Sequence, residues 1–319
     1  MKEKPLVTFG FVNCNRLFYL KSCVESVLKT TKDYPNKEMI IIDNASVENG
    51  TEQYLQEKEK QGFLVVRKKE RDPKNEFAKG LNKIYELSKG KYVVPLQADS
   101  QFIIKDKWLH EYVDFYEKDA NNQIGCITLD AQRKITNESH KYSQVFRTNS
   151  GFGFLADLHR PPTCGAGDVM YSKKILDIIY PWSENNKQHE YDGDSETKML
   201  NKVKKMHAEG KHVFYTFCPI MPVSIAIYTD PIGTNARVRG NKIYGQYWEA
   251  KKDNQYYEMI SYENCLTRYN FNQRNLPINI EEVAQCIDHG PYIDNSGSWL
   301  KNPIRPEACN ESDWKYINE

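Results

Sequence analysis

Apolar residues along the first 130 positions arrive in two rhythms. Short, unbroken apolar runs alternate with longer stretches in which they recur every three or four residues. Leu6 to Val12, Met39 to Ile42, Leu64 to Val66, Tyr92 to Leu96 and Ile124 to Leu129 are runs of the first kind. A run without polar alternation predicts a strand covered on both faces, as in a parallel sheet. Between them, Leu17, Leu20, Val24, Val27 and Leu28 predict a helix to about Thr31, with Asn15 as its N-cap. Further helices are expected over about 51–61, over Phe77 to Ser88 with Gly90 as the residue that stops it, and around Trp108, Tyr112, Val113 and Tyr116. Residues 67–74, RKKERDPK, predict a solvated surface loop. Strand, helix and strand in this order imply right-handed crossover units, hence an α/β fold with a mostly parallel sheet flanked by helices.

The pattern thins beyond Leu129. Residues 130–160 read as strands and loops covering a cleft. Val169 to Tyr171 is a strand, a helix follows to Ile179, and Met199, Leu200, Val203 and Met206 mark the face of another helix ended by Gly210. A strand is expected over Val213 to Phe217. From about Pro222 the periodicity fades, which sets a boundary near 225. Two units follow: residues 1–225, and a C-terminal extension, 226–319.

Composition narrows the chemistry. The 319 residues are 39% hydrophobic and 27% charged, with a net charge of +1, which gives no case for nucleic-acid binding by bulk charge. No apolar run approaches the roughly 20 residues of a membrane helix, and the start has no signal-peptide pattern. A cytoplasmic protein is expected, with peripheral membrane contact left open. The eight cysteines are scattered, without C-x-x-C or zinc spacing, which predicts reduced thiols. Neither a G-x-G-x-x-G nor a G-x-x-x-x-G-K-[ST] phosphate loop is present.

Four polar turns follow the predicted strands or enter a helix: Asn13-Cys14-Asn15-Arg16, Ile42-Asp43-Asn44-Ala45-Ser46, Leu96-Gln97-Ala98-Asp99-Ser100 and Asp192-Gly193-Asp194-Ser195-Glu196. Ligands of open α/β sheets bind beyond the carboxyl ends of the strands. Each acid alone reads as readily as a turn or helix-capping residue; it is their order and placement that is specific. Together with Ala78 to Asn82 and Gly90 to Asp99, these motifs resemble those of the inverting family 2 glycosyltransferases with the GT-A fold, over about residues 5–218.

That resemblance implies a transfer of sugar from a nucleoside-diphosphate donor, UDP before GDP, to a hydroxyl of a glycan, lipid-linked glycan or protein acceptor. It places Val12, Cys14, Asp43, Asn75, Ala78 and Ala98 at the nucleotide and Asp99 on Mn²⁺ or Mg²⁺. Gly165, Ala166, Gly167 and Glu196 fall at the donor or acceptor sugar, and Asp194 becomes the catalytic base. Asp192 and Glu196 are rival bases; register favours Asp194. The chain departs from the family in having Gln97 and Ala98 where companion acids usually stand, and no His near Met221 to Ser224. Those departures keep an alternative alive, a non-catalytic glycan- or nucleotide-binding module on a transferase scaffold. A sugar-nucleotide nucleotidyltransferase fits less well, because no Gly-rich, Arg-containing loop follows the first strand. The C-terminal extension, with its Tyr244, Tyr247 and Trp248, would shape acceptor choice.

Overall fold

The computed structural model describes residues 3–72, 75–98, 100–102, 107–120, 122–129, 143–148, 152–157, 167–184, 195–211, 214–219 and 223–226. The apolar runs are strands β1 (Val7–Asn13), β2 (Lys37–Asp43), β3 (Leu64–Arg67), β4 (Tyr92–Leu96) and β6 (Ile124–Thr128). Between them lie the helices α1 (Leu17–Thr30), α2 (Thr51–Lys60), α3 (Glu76–Leu87) and α4 (Trp108–Glu117). Later come β7 (Ser143–Arg147), β8 (Gly153–Asp157), β9 (Val169–Ser172), α5 (Lys173–Ile179), α6 (Ser195–Ala208) and β10 (Tyr215–Pro219). Two three-residue strands that the sequence pattern did not reveal, β5 (Ser100–Phe102) and β11 (Ser224–Ala226), pair with each other antiparallel. The boundary expected near 225 falls within β11; residues 227–319 lie outside the described residues.

The main sheet has the order β3-β2-β1-β4-β9-β6-β10-β8-β7. β1 to β4 pair in parallel, as do β6 and β10, whereas β9 runs antiparallel between β4 and β6. This is the mixed, mostly parallel arrangement that the resemblance implies. All residues of β1, β4 and β6 are buried, as unbroken apolar runs predict. Alternation along β1 splits the core. Val7, Phe9 and Phe11 face the layer of α1, α2 and α4. Val12 joins Ile40, Ile42 and the side chains of α3, α5 and α6 on the other face. Among the described residues no helix is long and apolar enough to cross a membrane.

Helix α3 is seated on β1 by two glycine notches. A Cβ on Gly10 would lie 2.3 Å from Ile84 Cγ2, and one on Gly80 would lie 2.8 Å from both methyls of Val12. Each glycine admits the other element's branched side chain, so α3 approaches β1 closely. Ile84 is fully buried and has nowhere to swing. Gly10→Ala is therefore expected to destabilise the fold by about 1–3 kcal/mol, the range for overpacking. Urea unfolding checks this as a lower midpoint at unchanged slope.

Two local expectations change. Gly90 does not end α3 in a left-handed turn; the helix closes at Ser88, in an extended conformation. Gly90 is small because a Cβ would meet Thr8 Oγ1 at 2.5 Å and Tyr92 O at 2.6 Å. In the 67–72 part of the charged loop, Arg67 is held by Glu52 and by both oxygens of Glu59, and Arg71 by both oxygens of Glu76. These half-exposed pairs tie the loop to α2 and α3 rather than leaving it merely solvated.

Candidate active site at the carboxyl edge of the sheet

The parallel register brings the polar turns together. Asn13 pairs with Asp43 across β1 and β2, and Phe11 pairs with Leu96 across β1 and β4. Three strands thus end at one edge. Asp43 is 4% exposed, and its carboxylate accepts from Asn13 Nδ2 (2.8 Å), Ser46 Oγ (2.6 Å) and Ser46 N (3.0 Å). A buried carboxylate demands such donors. Ser46 Oγ in turn accepts from Asn15 N at 2.8 Å. Asn13 Oδ1 is buried without a hydrogen-bond partner among the described residues.

Asn15 is not the cap of α1. It adopts φ +49°, Arg16 occupies the cap position, and the Asn15 Oδ1 accepts from Val47 N (2.7 Å) and Glu48 N (3.1 Å). The first turn of α1 is served from across the gap, where Glu48 Oε2 accepts from Leu17 N at 2.7 Å. The Asn13 to Arg16 turn and the Asp43 to Glu48 turn therefore form one hydrogen-bonded unit. Five non-glycine residues among those described have positive φ, and four of them, Asn15, Ala45, Ala98 and Asp168, lie at this edge. A left-handed backbone costs a non-glycine residue about 1–2 kcal/mol, and such strain concentrates at functional sites.

Around this unit sit the other residues expected at a nucleotide. Cys14 is half-buried and its thiol donates to Asn44 O at 3.2 Å. Burial and the neighbouring Glu76 carboxylate push the Cys14 thiol up to about 11, partly offset by Arg71. It is a neutral donor at physiological pH rather than a nucleophile. Val12 (8% exposed) and Ala78 (0%) belong to the packed layer between sheet and α3. Asn75 sits at the cap position of α3, with its Nδ2 on the Asp72 carboxylate at 3.2 and 3.3 Å. Asp72 also accepts from Lys79 Nζ at 2.6 Å, which fixes the entrance of α3.

The end of β4 is braced from two further elements. Ala98 turns the chain at φ +61° with 2% exposure. Asp168, just before β9, donates its N–H to Pro95 O at 2.7 Å and accepts from Gln97 N at Oδ1, 3.2 Å. The same residue accepts from Leu129 N through its carbonyl oxygen. It thereby joins the ends of β4 and β6 at the start of β9. Glu196, in the first turn of α6, accepts at Oε1 from Gly167 N (2.8 Å) and Gln97 Nε2 (3.3 Å). A Cβ on Gly167 would lie 3.1 Å from Gln97 Cγ and 3.4 Å from Phe77 Cζ.

Of the residues expected to carry chemistry, Val12, Cys14, Asp43, Asn75, Ala78, Ala98, Gly167 and Glu196 are thus placed, whereas Asp99, Gly165, Ala166, Asp192 and Asp194 lie outside the described residues. For a divalent metal, the described side chains at the β4 end offer oxygen donors only, Asp168 and Glu196, bonded to the two ends of Gln97. This suits a hard cation, but no group of three potential ligands forms among the described residues. The sequence pattern does not single out Asp168 or Ser46 as site residues. Ser46 had a signal in its place in the I-D-N-A-S turn. Asp168 had only a faint one, an acid directly after Gly165-Ala166-Gly167 and before a strand.

No curated protein sequence matches the chain. Among solved structures, it is similar to the mannosyltransferase PcManGT from Pyrobaculum calidifontis, in complex with GDP-Man and Mn²⁺. The identity is 13%, with 99% of this chain and 87% of that one covered and a TM-score of 0.49. Residues 1–349 of S. aureus TarS are similar at 11% identity, covering 98% and 89% of the two chains with a TM-score of 0.47. A complex of the same TarS segment with UDP gives 12% identity, 98% and 89% coverage and a TM-score of 0.44. The model of the family described as "Glycosyl transferase family 2" matches residues 10–179, which is 170 of the 319 residues and takes in the β1, β2 and β4 ends and the Asp168 brace. The chain with this strand-end site belongs to glycosyl transferase family 2.

Proposed function

We propose that the protein is a metal-dependent, inverting glycosyltransferase that moves a sugar from a UDP-sugar to a hydroxyl of a glycan, lipid-linked glycan or protein, in the cytoplasm. The observation that carries this reading is the joined Asn13 to Arg16 and Asp43 to Glu48 turn unit at the carboxyl edge, beside the β4 end, in a chain of this family. Asp43 Oδ2 receives one N–H, from Ser46, and so keeps lone-pair capacity for the N–H of a nucleobase. Cys14, Asn75 and the backbone near Val12, Ala78 and Ala98 would border that base and its ribose.

In the reaction, Asp194 takes the proton of the acceptor hydroxyl. The acceptor oxygen attacks the anomeric carbon from the face opposite the diphosphate, the bond from that carbon to the diphosphate oxygen breaks, and the configuration inverts. Asp99 would hold Mn²⁺ or Mg²⁺, which when bound neutralises the charge on the leaving diphosphate. The family resemblance assigns Gly165, Ala166 and Gly167 to the donor or acceptor sugar, and residues 226–319 would shape the acceptor side. A second reading, a binding module without turnover, is favoured by Gln97, whose amide is engaged by Glu196 where the family carries an acid.

Thermal unfolding across UDP- and GDP-sugars tests the donor assignment. A ligand at 100 times its Kd adds about 2.7 kcal/mol to the native state. UDP-sugars with Mn²⁺ are expected to raise the midpoint, and GDP-sugars less. A larger rise with GDP-sugars overturns the base assignment. No rise with any donor overturns the reading.

A further inference from the structure

We propose that Glu196 is a positioning residue, a brace that locks the Gly167 backbone and the Gln97 side chain together, and not an alternative base. The proposal rests on the transferase reading for its kinetic consequences and on the hydrogen bonds alone for the brace. One carboxylate oxygen, Oε1, receives both Gly167 N–H and Gln97 Nε2–H. These donors come from two segments that nothing in the sequence pattern connects: the turn before β9 and the residue that follows β4. Glu196 itself stands in the first turn of α6, where the helix dipole favours a negative charge. Deeper in the same helix, Met199 and Val203 are buried in the core with Val169 and Tyr171. α6 is therefore anchored at its body by packing and at its entrance by Glu196.

The packing at Gly167 makes the contact selective. Any larger residue there would press on Gln97 Cγ at 3.1 Å and on Nε2 at 3.3 Å, the very group that reaches Glu196. The Gln97 backbone is held separately, by its N–H on Asp168 Oδ1. Main chain and side chain of Gln97 are thus each tied to a carboxylate from a different element. Position 97 opens the Gln97-Ala98-Asp99 turn and position 196 follows the proposed base by two residues. On the transferase reading, the brace ties the residue two positions before the proposed metal ligand to the residue two positions after the proposed base. An oxygen that holds two donors in this way serves equally well in a carboxylate or a carboxamide, because only its acceptor role is used. A base could not survive that exchange.

The test compares Glu196→Ala, Glu196→Gln, Gln97→Ala and the Gln97→Ala/Glu196→Ala double variant in the full chain. UDP release from a UDP-sugar with Mn²⁺ is measured together with hydrogen–deuterium exchange of the peptide bearing the Gly167 amide. Glu196→Ala is expected to lower kcat/KM by about 10- to 100-fold, the scale of a lost charge-assisted hydrogen bond. Glu196→Gln should recover most of that loss, and the double variant should be no worse than the poorer single one. Exchange at Gly167 should quicken in Glu196→Ala and stay slow in Glu196→Gln. Glu196→Gln as inactive as Glu196→Ala with Gly167 still protected would make Glu196 the base and overturn the proposal. Unchanged Gly167 exchange in Glu196→Ala, or additive losses in the double variant, would overturn it too. If the wild type turns over no donor, the transferase reading fails while the Gly167 exchange still decides the brace.

Discussion

Asp194→Asn is expected to lower sugar transfer by about 10²- to 10⁴-fold, the usual contribution of a positioned general base. Asparagine keeps the shape and the acceptor oxygen but cannot take a proton at neutral pH. Affinity for the nucleotide should hold, because the groups proposed to meet it sit at the ends of β1 and β2 and are fixed by Asp43, Ser46 and Asn15 rather than by α6. Initial rates and UDP calorimetry on the same preparation separate the two quantities. A variant that transfers at the wild-type rate excludes Asp194 as the base. The contrast with Glu196 sharpens this. At 196 the structure shows an oxygen that accepts two hydrogen bonds, so the amide exchange should be mild there and severe at 194.

Asp99→Ala carries the second large effect. In most of the resemblance-defined motif the metal is shared among several acids, whereas this chain offers Gln97-Ala98-Asp99. Gln97 donates its amide nitrogen to Glu196, and the Ala98 side chain has no ligating atom. Removing the one acid should therefore remove most of the metal's contribution, about 3–4 kcal/mol of transition-state charge stabilisation or about 10²- to 10³-fold in rate. Activity as a function of Mn²⁺ concentration measures it: the wild type should saturate and lose activity on chelation, and the variant should respond weakly to both. A variant that keeps the wild-type Mn²⁺ response would remove Asp99 from the metal site.

Much of the frame is legible in the sequence. β1, β2, β4 and β6 announce themselves because a strand covered on both faces has no polar alternation to confuse it with a surface helix. β5 and β11 are the opposite case. Three residues each, Ser100–Phe102 and Ser224–Ala226, they exist only because two distant segments meet, and no local pattern encodes that. Asn15 shows a local rule losing to a tertiary partner: its side chain would cap α1 by propensity, yet it captures Val47 and Glu48 from the neighbouring turn. Gly90 looked like a helix stop and is instead a clearance for Thr8.

The site followed the same division. The order of polar turns pointed to the carboxyl edge, and the register of β1, β2 and β4 puts their ends there. Asp43 could be read either as a turn residue or as a ligand contact. In the structure it organises the turn through three donors, and that order is what would present its remaining acceptor capacity to a base. Asp168 stayed hidden because its part lies in a left-handed backbone and two bonds to β4, neither of which leaves a periodic trace.

The central claim is a transfer with inversion, and one measurement meets it directly. The protein is incubated with Mn²⁺, an acceptor and an α-linked UDP-sugar from the panel that binds, while UDP release and the anomeric proton of the product are followed by NMR. The account predicts one UDP per sugar transferred and a β-linked product. Binding with no UDP release, or an α-linked product, would contradict it.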